Sequence, residues 1–242
     1  MAENEIGAPS RLVGILGGMG PAATADFYTK LVRHTPATID QDHLRVVMWA
    51  DPTVPSRQDA LLAGGTDPTP WLVEGVGRLI AAGADIVVVP CNTIHAYLGP
   101  VMADQPVDFI SIIDTTVQAV QRRGVKRIGL LATDGALASE VFQSAFDAAG
   151  IEWELPSTAQ QAHVMRLVHA VKAGGVDDRA RADVEALLSD LQERGASTMV
   201  AGCTEISALL AQLSLDDSTD LVDPALELAR RTIERATSPA SR

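Results

Sequence analysis

The alternation of short apolar runs with longer amphipathic segments constrains the fold of this chain most strongly. Runs such as Val13–Leu16 and Ile86–Val89 contain only apolar residues and glycine, and residues with helical spacing follow each run. Continuous apolar strands are typical of parallel sheets that helices cover on both faces, whereas half-solvated strands alternate in polarity. The sequence therefore predicts an α/β fold with parallel sheets.

The same periodicity assigns the individual elements and one loop. The predicted strands are Val13–Leu16, Arg45–Trp49, Ile86–Val89, Phe109–Ile113, 127–132 and 198–201. The predicted helices are Ala22–His34, Pro70–Ala82, Thr93–Met102, Thr115–Arg123, 138–149, 162–173, 178–194, 204–212 and Pro224–Ala236. Asp51–Ala63 is interpreted as a polar loop.

The two halves of the chain repeat one pattern weakly. Leu12–Tyr28 resembles Arg127–Gln143, with glycines at positions 14 and 129, which are 115 residues apart. Gly83–Thr93 resembles Gly195–Thr204, with cysteines at positions 91 and 203, which are 112 residues apart. The near-equal offsets indicate two similar halves, although chance similarity between two βα units is an alternative. We predict one domain at residues 11–113 with 224–237 and a second at 114–223.

Length, composition and charge exclude several classes of protein. A length of 242 residues fits one large or two small domains. The net charge of −12 disfavours nucleic-acid binding, and no apolar run reaches the roughly 18–20 residues of a membrane-spanning helix. The first ten residues lack the apolar core of a signal peptide, and we interpret them as a disordered arm. We expect a cytoplasmic protein with two reduced thiols and no membrane or nucleic-acid partner.

Cys91 and Cys203 each follow a predicted buried strand and precede a predicted turn that contains Thr. Ligands of open α/β sheets bind beyond the carboxyl ends of the strands, where the amides of a following helix attract anions. Those amides also favour the thiolate form of a cysteine. Inverting a stereocentre needs a base on one face and an acid on the other, which two thiols can supply. A lone cysteine is usually only a small buried residue, so the argument depends on the matched pair.

Five segments also resemble those of aspartate/glutamate racemases. They are PCNTIH at residues 90–95, GCTEI at 202–206, GILGGMGP with AAT at 14–24, VPSR at 54–57, and VMRLV at 164–168 running on to Lys172. The resemblance extends over about residues 11–236, and the cysteine motifs together with the opening loop are specific.

This resemblance implies a fold, a mechanism and a set of site residues. It implies two flavodoxin-like α/β domains related by a pseudo-twofold axis, with the active site in the cleft between them and no pyridoxal phosphate. Cys91 and Cys203 would act as acid and base. The implied substrate-binding residues are Met19, Thr24, Arg57, Asn92, Thr93, Thr133, Lys172, Thr204 and Glu205. It also favours a homodimer.

The chain departs from the family pattern at three places that bear on the substrate. In the Arg57 loop, Thr53 and Val54 replace the more usual Ser-Ile, and Ser56 replaces the usual Asp. Where the family commonly has Gly-Thr-x-Gly-Thr, residues 132–136 read ATDGA, so Ala136 lacks a hydroxyl. His169 stands where a tyrosine is common. These changes put the identity of the substrate in doubt more than the type of reaction.

Two other kinds of binding site, one for a dinucleotide and one for zinc, are alternatives to this interpretation. Gly18-x-Gly20-x-x-Ala23 has the spacing of a dinucleotide-binding loop, but Pro21 interrupts it, and the glycines more readily let backbone amides approach a small carboxylate. Cys91, His95 and Cys203 provide few ligands for zinc, so we expect no metal and no cofactor.

The sequence therefore predicts a racemase of acidic amino acids, with aspartate favoured, that acts by proton transfer at Cα. The alternatives are a maleate isomerase or another cysteine-dependent isomerase or decarboxylase of the same superfamily. An amino-acid-binding protein without catalytic activity is an alternative from a different class.

Overall fold

The computed structural model describes residues 10–173, 180–213, 215 and 220–238. The expected N-terminal arm lies almost wholly outside the described residues, as do the first two residues of the helix predicted at 178–194.

Strands and helices alternate along both halves. The strands are β1 Val13–Gly17, β2 Val46–Ala50, β3 Ile86–Val88, β4 Asp108–Ile110, β5 Arg127–Leu131, β6 Glu152–Glu154, β7 Thr198–Ala201 and β8 Leu221–Val222. The helices are α1 Pro21–His34, α2 Arg57–Leu62, α3 Thr69–Ala81, α4 His95–Met102, α5 Ile112–Arg122, α6 Asp134–Ala138, α7 Gln143–Ala148, α8 Thr158–Lys172, α9 Ala180–Glu193, α10 Thr204–Gln212 and α11 Pro224–Thr237.

Two four-stranded sheets have the same strand order. One runs β2-β1-β3-β4 and the other β6-β5-β7-β8, and the paired strands are parallel throughout. The predicted α/β class with two parallel sheets is confirmed. The first strand of each half lies beside the strand that precedes a cysteine, as the sequence repeat requires.

Three clusters of buried apolar side chains cover the faces of these sheets. One cluster joins the two halves, since it includes Ile15 of β1, Leu130 of β5 and Leu228 of α11. The other two clusters cover the remaining face of each sheet. Helix α11 returns to pack against α1 and α5. The predicted boundary between the two domains, at residues 113 and 114, lies inside α5. The apolar core that the two halves share is continuous at this helix.

Three predicted elements were wrong. The polar loop 51–63 contains α2, whose N-cap Ser56 accepts a hydrogen bond from the Asp59 amide at 3.3 Å. The strand Phe109–Ile113 stops at Ile110, because Ser111 caps α5. The helix predicted at 138–149 is confined to α7, since α6 ends at Ala138 and Glu140, with a positive φ of 54°, lies between the two helices.

The sequence also concealed two strands. β6 and β8 have three and two residues and lie at the edges of their sheet. Runs this short carry too few residues to show a period, and β6 includes two glutamates.

Candidate active site

Cys91 and Cys203 line one cavity of about 500 Å³ at the carboxyl ends of β3 and β7. Both are free thiols, with 8% and 5% of their surface exposed. The lining of this cavity, called the cysteine cavity below, comprises Met19, Ser56, Arg57, Gln58, Asp59, Leu62, Cys91, Asn92, Thr93, Thr133, Asp134, Met165, His169, Lys172, Cys203, Thr204 and Glu205. Both halves of the chain contribute to it.

The loop after β1 is shaped by glycine and held by Thr24. Gly18 has a φ of +93°, and a Cβ there would lie 2.4 Å from backbone atoms of Asp51. The Thr24 hydroxyl accepts from the Gly18 amide and donates to the Gly20 carbonyl oxygen, each at 2.9 Å. Thr24 is buried and does not belong to the lining of the cysteine cavity, whereas Met19 does.

Arg57 is fixed at the start of α2. Its guanidinium donates to the carbonyl oxygens of Val54, Pro55 and Met19 at 3.2–3.3 Å. In the described part of the chain, no carboxylate forms an ion pair with Arg57. The guanidinium therefore brings a positive charge to the cavity wall that protein carboxylates leave unpaired.

His95 anchors the segment that carries Cys91. Its Nδ1 lies 2.8 Å from the Cys91 carbonyl oxygen, and its Nε2 accepts a hydrogen bond from the Ile112 amide at 3.3 Å. The ring stacks on Phe109 with the centroids 5.9 Å apart. This pattern assigns a neutral ring with its proton on Nδ1. Burial lowers the pKa of His95 to about 4, so the ring stays neutral near pH 7.

Glu205 contacts the second cysteine directly. The Cys203 thiol donates to Glu205 Oε2 at 2.9 Å, and the Thr204 hydroxyl donates to the same oxygen at 3.2 Å. The other carboxylate oxygen lies 3.8 Å from Lys172 Nζ. Glu205 therefore links one thiol to the lysine at the end of α8.

The two thiols differ in their electrostatic surroundings. Burial raises the pKa of Cys91, while the Arg57 charge and the Ile94 amide oppose that rise. Burial also raises the pKa of Cys203, and the charge and hydrogen bond of Glu205 bring it well above its ordinary value. Cys91 is therefore the thiol that ionises more easily in the free protein.

Asn92 presents a buried amide that has no hydrogen-bond partner among the residues that the structure describes. Only 3% of the residue is exposed, and neither Nδ2 nor Oδ1 has a hydrogen-bond partner. Leaving such a group unsatisfied costs about 1–3 kcal/mol. A ligand that accepts from Nδ2 or donates to Oδ1 in the cysteine cavity would remove this cost.

Contacts between the halves close the cavity. The hydroxyl oxygens of Thr93 and Thr133 lie 3.1 Å apart, and the Gly135 amide donates to Gln58 Oε1 at 2.5 Å. Helix α2 packs against α6 at this point. The cavity wall therefore depends on the approach of two short helices from different halves.

The sequence-predicted residues largely meet in this cavity. Ten of the eleven line it, and Thr24 lies behind the loop instead. The lining also includes residues that sequence reasoning did not assign to the site: Ser56, Gln58, Asp59, Leu62, Asp134, Met165 and His169. Met165, His169 and Lys172 lie on one face of α8, because they are spaced four and three residues apart. This spacing is visible in the sequence and indicates that Met165 and His169 accompany Lys172.

The described residues place no group of three or more His, Cys, Asp or Glu side chains where a metal ion could bind. Among the same residues, no helix has the length and apolarity needed to cross a membrane.

A model of the Asp/Glu/hydantoin racemase family matches residues 16–232 of the chain. The chain belongs to this family. It is accordingly an isomerase of the racemase type.

Two racemases are similar to this chain in sequence. A broad-specificity amino-acid racemase of Bacillus subtilis is 24% identical over 226 residues, which cover 92% of this chain and 96% of that protein. A glutamate racemase of Desulforudis audaxviator is 31% identical over 160 residues, 64% of this chain and 57% of that enzyme. The racemase chain thus shares little more than half the length of that glutamate racemase.

Solved structures show the same architecture. The aspartate racemase of Picrophilus torridus superposes with a TM-score of 0.82 at 29% identity, covering 93% of this chain and 94% of that one. The Francisella tularensis glutamate racemase, solved with D-glutamate, superposes with a TM-score of 0.65 at 15% identity, covering 93% and 80%. At that identity the second likeness concerns the fold alone.

Proposed function

We propose that this racemase inverts acidic amino acids at Cα, with Cys91 and Cys203 as the acid and base. The observation that carries the proposal is that the chain's two cysteines, at equivalent strand ends, line one cavity. Racemisation by proton transfer needs groups on opposite faces of Cα, and a thiolate and a thiol fill those two roles.

The unequal surroundings of the thiols suggest which of them loses its proton first. Burial raises the pKa of both thiols, but Arg57 opposes that rise at Cys91 and Glu205 adds to it at Cys203, so we assign the base to Cys91. The Cys91 thiolate takes the α-proton and leaves a carbanion. The Cys203 thiol then gives its proton to the opposite face of Cα, which leaves Cys91 protonated and Cys203 as thiolate. The reverse reaction starts from the other state of the pair.

The α-carboxylate of the substrate is proposed to bind beside the cysteines. The amide of Asn92 supplies a free donor, and the hydroxyls of Thr93, Thr133 and Thr204 line the same cavity. Negative charge that moves from Cα to the carboxylate in the carbanion strengthens these hydrogen bonds. Donors fixed in advance stabilise such charge strongly, because they need no reorganisation during the reaction.

Two cations favour a second carboxylate on the substrate. Arg57 and Lys172 both line the cavity, and Arg57 is held by three backbone carbonyl groups. A planar guanidinium binds a carboxylate through two parallel hydrogen bonds. Aspartate is the favoured substrate, in line with the name of the Picrophilus torridus aspartate racemase at 29% identity.

The remaining parts of the proposal concern cofactor, assembly and location. The two thiols supply both proton transfers, so the mechanism calls for no pyridoxal phosphate. The proposed homodimer rests on the family resemblance and is tested by light scattering. A cytoplasmic location suits two thiols that must stay reduced.

Deuterium exchange tests the proposed reaction. The protein is incubated with L-aspartate in D₂O, and the products are analysed by NMR and chiral chromatography. We expect α-deuterated aspartate and D-aspartate. Absence of both products with aspartate, glutamate and other acidic amino acids would sink the proposal.

Single cysteine variants separate a racemase from a binding protein. Cys91→Ser and Cys203→Ser are each expected to reduce turnover at least about 1,000-fold, because a serine hydroxyl is a far weaker acid than a thiol. Binding of L-aspartate, measured by calorimetry, should change much less. Turnover that survives either substitution contradicts the two-thiol mechanism.

A further inference from the structure

A second cavity of about 510 Å³ adjoins the cysteine cavity. The two share Arg57, Lys172, Thr204 and Glu205, so they meet at the residues proposed to hold the distal carboxylate of the substrate. We call this second space the side cavity. Small residues form much of its wall: Gly18, Gly20, Ala22, Ala23, Pro52 and Ala208.

Gly20 keeps part of this space open. Its backbone has a φ of −101°, which suits any residue, so its conformation does not require glycine. A Cβ at this position would meet nothing closer than Glu205 Oε1, at 3.9 Å. The missing side chain therefore leaves room that a larger residue would fill.

The side chains that line the side cavity carry equal numbers of positive and negative charges. Arg57 and Lys172 are opposed by Glu205 and Asp26, and Asp26 is also paired with Lys30. The rest of the wall is mostly glycine, alanine, proline and valine. Such a wall suits an uncharged, apolar occupant, since a buried charge there would gain no excess of opposite charge.

We propose that the side cavity is a second side-chain subsite, which admits long, unbranched, uncharged side chains such as that of methionine. This inference rests on the proposed racemisation in the cysteine cavity and adds a second class of substrate to it. A dicarboxylic substrate ends at Arg57 and Lys172. A longer apolar side chain passes these residues and buries its end against Gly20 and Ala208.

Ala208→Leu tests the subsite, with Ala211→Leu as the matched control. Both alanines lie on α10, but only Ala208 lines the side cavity, and Ala211 is exposed.

The kcat/KM for α-proton exchange in D₂O is measured with L-methionine, L-norleucine, L-alanine and L-aspartate. Ala208→Leu should reduce kcat/KM for methionine and norleucine about tenfold or more. Aspartate should change less than about twofold, and Ala211→Leu should leave all four near wild type.

Other outcomes overturn the subsite. If the wild type exchanges aspartate but neither exchanges nor binds methionine, the inference of a second subsite is wrong. The proposed racemisation of acidic amino acids is then unaffected. An equal loss for every substrate in Ala208→Leu would make the side cavity an entrance instead. An unchanged kcat/KM for methionine in Ala208→Leu would also contradict the proposed subsite. If aspartate itself is inert, the proposed function fails, and calorimetric binding of methionine to the wild type and Ala208→Leu still decides the subsite.

Discussion

At the scale of single residues, one carboxylate makes the two halves of the site unequal. The sequence repeat places Cys91 and Cys203 in equivalent positions, but the residue two places later is Thr93 in one motif and Glu205 in the other. Glu205 accepts the hydrogen bond of the Cys203 thiol at 2.9 Å. The proposed acid–base pair is therefore built from similar motifs with different electrostatics.

Replacing Glu205 by Gln should make Cys203 easier to ionise. The change removes the negative charge that raises the pKa of Cys203, so its thiolate fraction at pH 8 increases. We expect alkylation of Cys203 by iodoacetamide to become about tenfold faster at this pH, because the pKa of its thiol falls when the neighbouring negative charge is removed. The measurement is the pH dependence of alkylation at each cysteine by mass spectrometry. Glu185→Gln, on the exposed face of α9, is the control, and an unchanged profile for Cys203 would refute the assignment.

At the scale of elements, His95 ties the end of β3 to the start of α5. One ring nitrogen contacts the Cys91 carbonyl oxygen, and the other accepts from the Ile112 amide. Protonation of Nε2 destroys its ability to accept that hydrogen bond. The link between the cysteine segment and α5 therefore requires neutral histidine.

Acid should weaken the fold through this link. The pKa of His95 is lowered from 6.5 to about 4, so the unfolded chain takes up a proton in a pH range where the folded chain does not. The contribution of His95 to stability is complete above pH 6.5 and is lost as the pH falls to about 4, with an upper value of roughly 3 kcal/mol.

Denaturant unfolding at several pH values measures this contribution. His95→Asn should flatten the dependence of the free energy of unfolding on pH between 6.5 and 4. His163→Asn is the control, because His163 is exposed on α8. Equal slopes in wild type and His95→Asn would show that other groups cause the acid sensitivity.

At the scale of the whole molecule, the cysteine cavity depends on the fit between the halves. The shared core holds the sheets together, and α2 meets α6 beside the cavity. A Cβ at Gly135 would lie 2.3 Å from Gln58 Oε1 and 3.3 Å from Leu61 Cδ1. Gln58 is the neighbour of Arg57, so any shift of α2 moves the proposed carboxylate-binding residue.

Gly135→Ala should therefore impair catalysis more than folding. We expect kcat/KM for aspartate to fall about tenfold, since small displacements of positioning residues are costly. The loss of stability should stay below about 1 kcal/mol, because α2 has six residues and none of them is buried, so the helix can shift at small cost. Kinetics and thermal unfolding of the variant provide the two measurements.

A double-variant cycle and a second glycine serve as controls for Gly135→Ala. Combining it with Gln58→Ala should give less than the sum of the two losses, because the obstructing side chain is gone. Gly77→Ala should raise stability by about 0.5–1 kcal/mol without affecting turnover, because Gly77 is exposed in the interior of α3 and a Cβ there would come within 4 Å of no described residue outside its own stretch of helix. Strict additivity would contradict the proposed contact.

Sequence reasoning named ten of the residues that line the cysteine cavity, because strand ends and motifs are local. The apolar runs before Cys91 and Cys203 predicted two buried strands, and the structure has β3 and β7 there. Helix α2 was missed, because only Ser56 and Asp59 indicate a helix in a segment rich in loop residues. Thr24 was assigned to the pocket, whereas its hydroxyl is used by the loop backbone.

The sequence by itself determined the parallel α/β class, the repeated halves and the positions of the two cysteines, since each depends on residues close together in the chain. Only the tertiary structure decided that α2 and α6 close one cavity, that the Asn92 amide is unpaired within the described part of the chain, and that the side cavity opens beside Arg57. These features arise from contacts between residues far apart in the chain. Local periodicity carries no information about such contacts, because they depend on how the two sheets pack together.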